Sequence, residues 1–366
     1  MRILFACGGT AGHINPAIAV ANFIKARHPE AEILFAGNPK GMEARLVPKA
    51  GFAFAPIEIM GFQRKLTWFN VRYNFRSVGC LMLSWGRAKK LIRDFVPDMI
   101  VGTGGYVSGP ILREGAKLGV KTVTHESNAF PGVTTKVLAR TADKVLISVE
   151  EAKRYLPRGR EYIVTGNPVR EEMFRQDRPA ARRALGAKEG QAVIISFGGS
   201  LGAQSVNRCL REALPELLTR FDVLHLCGKG NLDESLMGMK GYCQKEFLSD
   251  EMPDALAVAD VVLSRAGSNT LSELLALHKP MLLVPYPLGA SRGDQIENAK
   301  SYARQGLARV LMQEDMTART LTDALFKLLD ERAELLAALE AYPVKDGTQA
   351  VLELIEDARK THSRSH

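Results

Sequence analysis

The sequence has few cysteines, no long apolar run and no paired carboxylates at metal-binding spacing. Its five cysteines are odd in number and scattered without a Cys-x-x-Cys pair, which is typical of a reducing compartment and argues against a zinc site. The apolar run at the start is too short for a signal peptide, and no stretch reaches the length of a membrane span. No Asp-x-Asp occurs, so the sequence offers no carboxylate pair to hold a metal ion on a diphosphate. We therefore expect neither a bound metal nor a membrane-spanning segment.

The length and composition predict a globular protein with two domains. At 366 residues the chain is too long for one ordinary hydrophobic core. Its hydrophobic content of 46% and charged content of 24% are ordinary for a globular protein. The net charge of +9 is substantial, and its placement matters more than its total.

Residues 59–93 concentrate that positive charge, because they contain no aspartate or glutamate. They hold eight arginines and lysines, both tryptophans of the chain and several other aromatic residues. One interpretation is a long helix with a solvated basic face and a core face. The other is a surface that binds acidic lipid or nucleic acid. The residues alone leave both interpretations open.

A strand, a glycine turn and a helix open each half of the chain. In the first half, apolar residues 2–7 run into Gly-Gly-Thr-Ala-Gly-His at residues 8–13, and small apolar residues follow at helical spacing. In the second half, residues 192–197 run into Gly-Gly-Ser-Leu-Gly-Ala at residues 198–203. Glycines let a backbone approach a ligand closely, and the first amides of a helix attract an anion. We predict two α/β domains, each with a parallel sheet.

Polar residues follow other predicted strands at the end where open α/β sheets bind ligands. The segments lie at residues 104–110, 125–128, 267–273 and 295–299. Glycines and helix ends there would hold a diphosphate, and carboxylates and amides would hold ribose and sugar hydroxyl groups. Ser127 and Asn128 are also good N-caps, which is their structural explanation. No combination of nucleophile, histidine and acid is present, so the pattern favours a nucleotide-linked substrate.

Seven segments, in one order over nearly the full length, resemble the MurG glycosyltransferases of family 28. They are residues 8–16, 104–110, 125–128, 165–170, 198–203, 267–273 and 295–299. The resemblance implies a GT-B fold, in which two Rossmann-like domains with parallel sheets face each other across a cleft. It implies an acceptor and membrane-associated domain over residues 1–165 and a UDP-GlcNAc donor domain over residues 166–342. Residues 343–366 would form a C-terminal helix that packs back on the first domain.

The family completes lipid II in bacterial peptidoglycan synthesis, so the resemblance implies an inverting transfer of N-acetylglucosamine without a cofactor. The donor would be UDP-GlcNAc, and the acceptor would be the C4 hydroxyl of the muramyl sugar in undecaprenyl-diphosphate-linked lipid I. The implied donor-site residues are Thr10, Ala11, Gly12, Asn128, Arg170, Ser200, Leu248, Glu273 and Gln295. The implied acceptor-diphosphate loops contain Gly9, Gly104, Gly105, Tyr106 and Ser108.

Three positions depart from the pattern of the family. Ala11 replaces a frequent glycine, Ser127 replaces a frequent glutamine, and Asp294 stands where some members have a second glutamine. Gln295 is therefore the only amide at that place for the donor sugar.

His13 is the predicted general base, because direct displacement needs a base near the attacking oxygen and no enzyme nucleophile. A helix N-terminus disfavours imidazolium and so favours the neutral ring that accepts a proton. A structural role for His13 stays open, and so does a role as base for Glu126.

The lipid acceptor implies that the enzyme binds peripherally at the cytoplasmic face of the bacterial cell membrane. Basic residues attract anionic headgroups, and Trp and Phe favour the interfacial layer. The predicted membrane face is a loop with Phe62, Arg64, Lys65, Trp68 and Phe69, whereas Trp85 is assigned to the core.

Other functions stay open beside this one. A UDP-sugar epimerase or a glycolipid glycosyltransferase would share the fold, although an epimerase would not need residues 59–93. A basic nucleic-acid-binding protein would explain those residues but leave the glycine loops without a role. The missing Gly-x-Gly-x-x-Gly spacing argues against an NAD-dependent oxidoreductase. The expected partners are UDP-GlcNAc, lipid I, an anionic membrane surface and other proteins of cell-wall synthesis, with no nucleic acid.

Overall fold

The computed structural model describes residues 1–59, 68–174, 177–185, 190–199, 201–248, 251–288, 293–343 and 347–363. The chain divides into two compact units, each with one parallel sheet. The first unit consists of Met1–Val169 together with Lys345–His366, and the second is Arg170–Val344. The chain passes between the units after residue 169 and after residue 344, and Arg170 belongs to the second unit.

The first unit contains a seven-stranded sheet with the order β3-β2-β1-β4-β5-β6-β7. Its strands are β1 Arg2–Cys7, β2 Glu32–Gly37, β3 Ala53–Pro56, β4 Met99–Gly104, β5 Lys121–Glu126, β6 Lys144–Ile147 and β7 Ile163–Val164. Its helices along this part of the chain are α1 Ala11–Arg27, α2 Glu43–Lys49, α3 Trp68–Phe95, α4 Ser108–Lys117 and α5 Val133–Leu138. The strand order reverses between β1 and β4, which is the point where open α/β sheets form a ligand crevice. Both glycine loops of this unit follow those two strands.

The second unit contains a six-stranded sheet with the order β10-β9-β8-β11-β12-β13. Its strands are β8 Ala192–Phe197, β9 Phe221–Leu226, β10 Tyr242–Lys245, β11 Val261–Ser264, β12 Met281–Leu283 and β13 Arg309–Val310. Its helices are α6 Arg178–Leu185, α7 Gln204–Leu217, α8 Met252–Val258, α9 Ser268–Ala276, α10 Asp294–Arg304, α11 Ala318–Asp330 and α12 Arg332–Ala341. Here the order reverses between β8 and β11. The second glycine turn follows β8, and α9 follows β11.

Both sheets are buried on two faces, because alternate residues of the central strands enter different cores. In β1, Phe5 packs with α1, whereas the next residue, Ala6, packs with α3 and α4. In β8, Val193 packs with α6 and α8, whereas Ile194 packs with α7 and α11. This alternation explains why the central strands are continuous apolar runs in the sequence.

The C-terminal helix α13, Gly347–Ser363, is part of the first unit and packs on α1. The ring of His28 contacts the carboxylate of Glu356 at 3.0 Å. A Cβ at Gly347 would lie 2.6 Å from the carbonyl carbon of Asn167, so only glycine lets the returning chain pass there. The two passages of the chain at the unit boundary are thus packed against each other inside the first unit.

Helix α3 has the basic composition noted above, and residues 60–67 before it lie outside the described residues. Met82 and Leu83 are about two-thirds exposed at 60% and 62%, whereas Ala88 and Ile92 are buried against the sheet. Trp85, assigned to the core, is half-buried and lies under the guanidinium of Arg113 at 4.3 Å. No helix in the described ranges is long and apolar enough to cross a bilayer.

The sequence pattern predicts a strand over residues 242–247, whereas β10 ends at Lys245. Its partner β9 ends at Leu226, which pairs with Lys245, and the last backbone hydrogen bond between the two segments runs from the Gly228 amide to the Glu246 carbonyl at 2.8 Å. Phe247 consequently lies outside the sheet with an exposed side chain.

Candidate functional site

The first glycine turn joins β1 to α1 and places His13 in the first turn of that helix. Gly9 has a φ of +87°, which strongly favours glycine. Thr10 is the N-cap of α1 with an extended backbone, and its hydroxyl lies 3.3 Å from Nδ1 of His13 instead of capping a helix amide. Thr10 and Gly9 are exposed, and Ala11 and Gly12 are half-buried.

The ring of His13 is held on several sides. Its Nδ1 lies 3.0 Å from the carbonyl oxygen of Gly8. Because a carbonyl only accepts, Nδ1 carries the proton of this hydrogen bond and Nε2 is the acceptor of the neutral ring. The ring packs on Gly104, where a Cβ would lie 2.6 Å from Cδ2, and Thr103 donates to the His13 carbonyl at 2.6 Å. This tautomer is the one a general base needs if Nε2 faces the substrate.

The loop after β4 meets the first glycine turn directly. Gly104 and Gly105 have φ values of +109° and +87°, and a Cβ at Gly105 would lie 2.3 Å from the carbonyl oxygen of Gly8. The buried hydroxyl of Ser108 lies 2.7 Å from the Ala6 carbonyl and 2.8 Å from the Gly104 carbonyl, so it joins the ends of β1 and β4. The side chain of Tyr106 is exposed. Gly9, Gly104, Gly105 and Tyr106 therefore lie in two adjoining loops, with Ser108 buried beneath them.

A polar cluster ends β5. Oε1 of Glu126 accepts from the backbone and the side chain of Asn128, each at 3.0 Å, and Oε2 accepts from the Gly132 amide at 3.0 Å. The buried His125 donates from Nε2 to the Gly166 carbonyl at 2.9 Å, and burial lowers the pKa of His125. These contacts occupy both oxygens of Glu126 and orient Asn128.

In the second unit, Arg170 and Glu273 form an ion pair. Nη2 and Nε of Arg170 lie 3.0 and 3.2 Å from Oε1 of Glu273. Oε2 of Glu273 has no hydrogen-bond partner among the described residues. Burial raises the pKa of Glu273, and the charge of Arg170 opposes this effect. The first turn of α9 has no acidic residue, and Glu273 lies beyond it, so first-turn interaction with the helix dipole does not explain this glutamate.

Gln295 lies in the first turn of α10, which follows Gly293 with a φ of +82°. Its Oε1 accepts from the backbone amide of Tyr286 at 3.2 Å, which leaves the amide NH₂ group to donate elsewhere. Asn298 on the same helix donates to the Ala266 carbonyl at 3.1 Å. The start of α10 is thus joined to the loops that follow β11 and β12.

Arg265 directly follows β11 and is a buried guanidinium. Its Nη1 donates to the Val284 carbonyl at 3.0 Å. Its Nη2 donates to Gln313 Oε1 at 2.7 Å and to Ser205 Oγ at 3.1 Å. The guanidinium also lies 4.1 Å from the ring of Tyr286. Burial lowers the pKa of Arg265. This residue holds the loop that contacts Gln295.

Two family models match the greater part of the chain. The glycosyltransferase family 28 N-terminal domain matches residues 3–147, and the glycosyltransferase family 28 C-terminal domain matches residues 193–351. The chain belongs to glycosyltransferase family 28. The predicted family and the predicted GT-B class, with two parallel-sheet α/β domains, are confirmed.

Full-length relatives of this family 28 chain carry closely similar names. A protein of Bacillus anthracis named "UDP-N-acetylglucosamine--N-acetylmuramyl-(pentapeptide) pyrophosphoryl-undecaprenol N-acetylglucosamine transferase 2" is 40% identical over 357 residues, 98% of this chain and 99% of its own. A transferase of the same name without the number, from Acetivibrio thermocellus, is 35% identical over 370 residues, with 98% and 99% covered. The crystal structure of Acinetobacter baumannii MurG matches with a TM-score of 0.77 at 26% identity and covers 97% and 99% of the two chains. The calicheamicin glycosyltransferase CalG4, at 15% identity and a TM-score of 0.69 over 98% of both chains, shares the fold.

Several predicted site residues of this family 28 chain lie outside the described residues, namely Ser200, Phe62, Arg64 and Lys65. Trp68 and Phe69 begin α3, but their side chains are not among those described. Leu248 lies two residues beyond the short turn after β10 and is half-buried. At Gly202 the chain packs closely on its neighbour, because a Cβ there would lie 1.9 Å from the carbonyl oxygen of Cys227.

Within each unit the structure brings predicted residues together, and it adds two that sequence reasoning missed. Arg170 with Glu273 forms one group, and His13 with Gly9, Gly104 and Gly105 forms another. Arg265 was missed although it directly follows β11, two residues before the polar segment 267–273. Glu43, whose Oε2 accepts from the Gly9 amide at 3.1 Å, was missed because a glutamate that begins a short helix gives no local sign of burial. The donor roles of Thr10, Ala11, Gly12 and Asn128 stay predictions.

The described residues contain no group of three or more His, Cys, Asp and Glu side chains that could hold a metal ion.

Proposed function

We propose that this chain transfers N-acetylglucosamine from UDP-GlcNAc to the C4 hydroxyl of the muramyl sugar in undecaprenyl-diphosphate-linked lipid I, with inversion, to form lipid II. Relatives that match 98% of the chain are named for N-acetylglucosamine transfer with this donor and an undecaprenol-linked acceptor. The structural observation that carries the proposal is the hydrogen bond from His13 Nδ1 to Gly8, which leaves Nε2 as a proton acceptor. It supports the presence of the base that the reaction requires.

The reaction needs one bond to form as another breaks. The acceptor hydroxyl attacks the anomeric carbon on the face opposite UDP, and the bond from that carbon to the β-phosphate oxygen breaks. The proton of the hydroxyl passes to Nε2 of His13, and UDP leaves as an anion. Glu126 is the weaker candidate base, because three loop donors already engage its two oxygens. Backbone amides of the glycine loops and helix ends stabilise the charge of the leaving diphosphate.

In the second unit, Glu273 and Gln295 recognise the donor. Oε2 of Glu273 accepts from the ribose hydroxyl groups while Arg170 holds Oε1 and fixes the carboxylate. The NH₂ of Gln295, which has no partner in the part of the chain that the structure describes, donates to the sugar, and its orientation comes from the Tyr286 amide. The loop with Ser200 binds the diphosphate, and the backbone at Leu248 contacts the uracil. Other residues of the second unit thus hold both Glu273 and Gln295 in place for the donor.

We further propose that residues 62–69 dock the first unit on an anionic membrane surface at the cytoplasmic face of the cell membrane. The acceptor lipid stays in the bilayer, so the enzyme must approach it there. Each lysine or arginine near an anionic surface contributes about 1 kcal/mol, and the effect falls off within a Debye length. A few such residues give reversible binding without an anchor.

Exposed apolar residues on α3 and α5 support membrane docking by the first unit. Met82 and Leu83 are exposed on α3, and Val133 and Val137 are exposed one turn apart on α5. Helix α4 packs against both of these helices. Lys136 of α5 adds a positive charge beside the valines, as expected for a surface that meets both headgroups and acyl chains.

The test is release of UDP from UDP-GlcNAc by the purified full chain, with and without a lipid I analogue. We expect release only with the acceptor, together with a disaccharide product of inverted anomeric configuration. UDP release that ignores the acceptor, or conversion of UDP-GlcNAc to an epimeric UDP-sugar, would contradict the proposal. Retention by nucleic acid with no turnover would favour the basic binding protein instead.

A further inference from the structure

A carboxylate is buried beneath the first glycine turn. Glu43, the first residue of α2, is only 1% exposed. Its Oε2 accepts from the Gly9 amide at 3.1 Å, and its Oε1 accepts from the Asn38 amide at 2.8 Å. No ion pair of the described residues includes Glu43. A buried carboxylate is costly unless hydrogen bonds compensate it, so these two backbone amides are what keeps the group in place.

Three glycines provide the space for this carboxylate. A Cβ at Gly8, Gly37 or Gly41 would lie 2.2, 2.4 or 2.3 Å from a side-chain atom of Glu43. None of the three has a positive φ, so their backbone conformation alone does not call for glycine. They are glycines because the side chain of Glu43 occupies the place of their Cβ atoms.

One peptide plane connects Glu43 to His13. The Gly8 carbonyl and the Gly9 amide belong to the same trans peptide group, so they point in opposite directions. Glu43 accepts from the amide at 3.1 Å, and His13 Nδ1 donates to the carbonyl at 3.0 Å. A rotation of this peptide would turn its carbonyl toward the carboxylate, which repels it, and its N–H toward Nδ1. The ring would then carry its proton on Nε2 and would be unable to take another from a substrate.

We propose that Glu43 is a positioning residue that holds His13, through the Gly8–Gly9 peptide, in the tautomer with the proton on Nδ1. The inference rests on the proposed role of His13 as base. The arrangement resembles a carboxylate that orients a histidine directly, with a peptide group placed between the two. Glutamine cannot replace the glutamate, because in either orientation its NH₂ group faces the amide of Gly9 or of Asn38.

The experiment compares Glu43→Gln, His13→Ala and the double variant in the UDP-release assay with the full chain. Glu43→Gln should lower kcat at least about ten-fold, within the range for a misoriented base, and leave the KM for UDP-GlcNAc within about two-fold. In the His13→Ala background the same substitution should change kcat less than about two-fold, because the two residues act as one unit. A double variant whose loss of kcat equals the product of the losses in the two single variants would overturn the proposal.

Asp143→Asn is the matched control. Asp143 also accepts from a backbone amide of the first unit, that of Thr122 at 2.8 Å, but at the start of β5 instead of at a glycine loop. It should lower Tm without changing kcat. A fall in kcat in this control as large as that in Glu43→Gln would show that general destabilisation explains both, and would overturn the proposal.

The tautomer itself is read from the ¹⁵N shifts of the His13 ring, assigned by comparison with His13→Ala. Wild type should show the proton on Nδ1, and Glu43→Gln should move the signals toward the Nε2-protonated form. Unchanged shifts would overturn the proposal. If Glu43→Gln does not fold, Glu43→Asp is measured instead, because it keeps the charge but cannot reach both amides. If His13→Ala keeps wild-type kcat, the base assignment fails, and the shifts still decide whether Glu43 orients the ring.

Discussion

Replacement of Glu273 by alanine should weaken UDP binding by about 1.5–3 kcal/mol, the usual range for a hydrogen bond to a charged group. Arg170 holds Oε1 of this glutamate at 3.0 and 3.2 Å, whereas Oε2 has no partner among the described residues. Oε2 is therefore the atom left for ribose hydroxyl groups. Because 1.4 kcal/mol is a factor of ten, the Kd for UDP should rise roughly 10- to 150-fold.

The same substitution should affect folding stability much less. The side chains of Arg170 and Glu273 are 37% and 18% exposed, so solvent screens the pair and its loss should cost about 1 kcal/mol or less. Burial raises the pKa of Glu273 above its usual range. The ionised form that accepts from ribose is therefore lost as the pH falls through this raised pKa. As the pH is lowered, donor binding that depends on Glu273 should therefore begin to weaken at a higher pH than it would with a glutamate of ordinary pKa.

Calorimetry with UDP and 2′,3′-dideoxy-UDP tests this reasoning. Wild type should prefer UDP, and Glu273→Ala should bind the two ligands nearly equally. Glu331→Ala is the control, because it breaks an ion pair with Arg309 of 2.8 Å and similar exposure in the same unit. The control should leave UDP affinity unchanged. Wild-type UDP affinity in Glu273→Ala, or an unchanged preference for the ribose hydroxyl groups, would refute the assignment.

Three further predictions concern the base, the metal and the stability of the second unit, and a fourth concerns the membrane. His13→Ala should lower kcat at least about 100-fold while UDP affinity stays the same, and near-normal kcat would defeat the idea. EDTA should not abolish turnover; a loss restored by Mg²⁺ or Mn²⁺ would count against metal-free catalysis. Burial lowers the pKa of Lys279 to about 8 from 10.5, so the unfolding free energy should rise with pH between these values. Lys279→Met should remove that rise in urea titrations, and a wild-type pH dependence in the variant would contradict it. The variant with Trp68→Ser, Phe69→Ser, Arg64→Gln and Lys65→Gln should sediment less with anionic liposomes and bind UDP-GlcNAc like wild type. Wild-type sedimentation of this variant at every salt concentration would place the docking face elsewhere.

The fold was largely predictable because its signals are local. Apolar runs before residues 8–13 and 198–203, with helical spacing after them, define two strand–turn–helix units without any knowledge of distant contacts. The end of β10 was not predictable in this way, since it depends on where the neighbouring strand β9 stops. The sequence alone would also allow Glu273 to be a favourable charge at a helix start, but the residue lies beyond the first turn of α9.

The candidate site was predictable in its glycines and strand ends but not in the groups that hold them. Arg170 and Glu273 were each predicted as donor ligands, but their separation of 103 residues hides the fact that they pair with each other. Arg265 contacts Ser205 and Gln313, which are 60 and 48 residues away. Such contacts depend on which loops the sheet of the second unit brings to one edge, and a single sequence carries no local sign of them.

The glycines of the first unit show where sequence interpretation reaches its limit. Gly9 and Gly104 have positive φ values, and a turn between a strand and a helix is a sufficient reason to expect them. Gly8, Gly37 and Gly41 do not, and the side chain of Glu43 lies where each of them would carry a Cβ atom. In the sequence the two kinds of glycine look alike. A glycine that needs no positive φ therefore indicates a side chain packed against it from a distant part of the sequence. At this turn that side chain is the carboxylate of Glu43, which accepts from the peptide that His13 hydrogen-bonds.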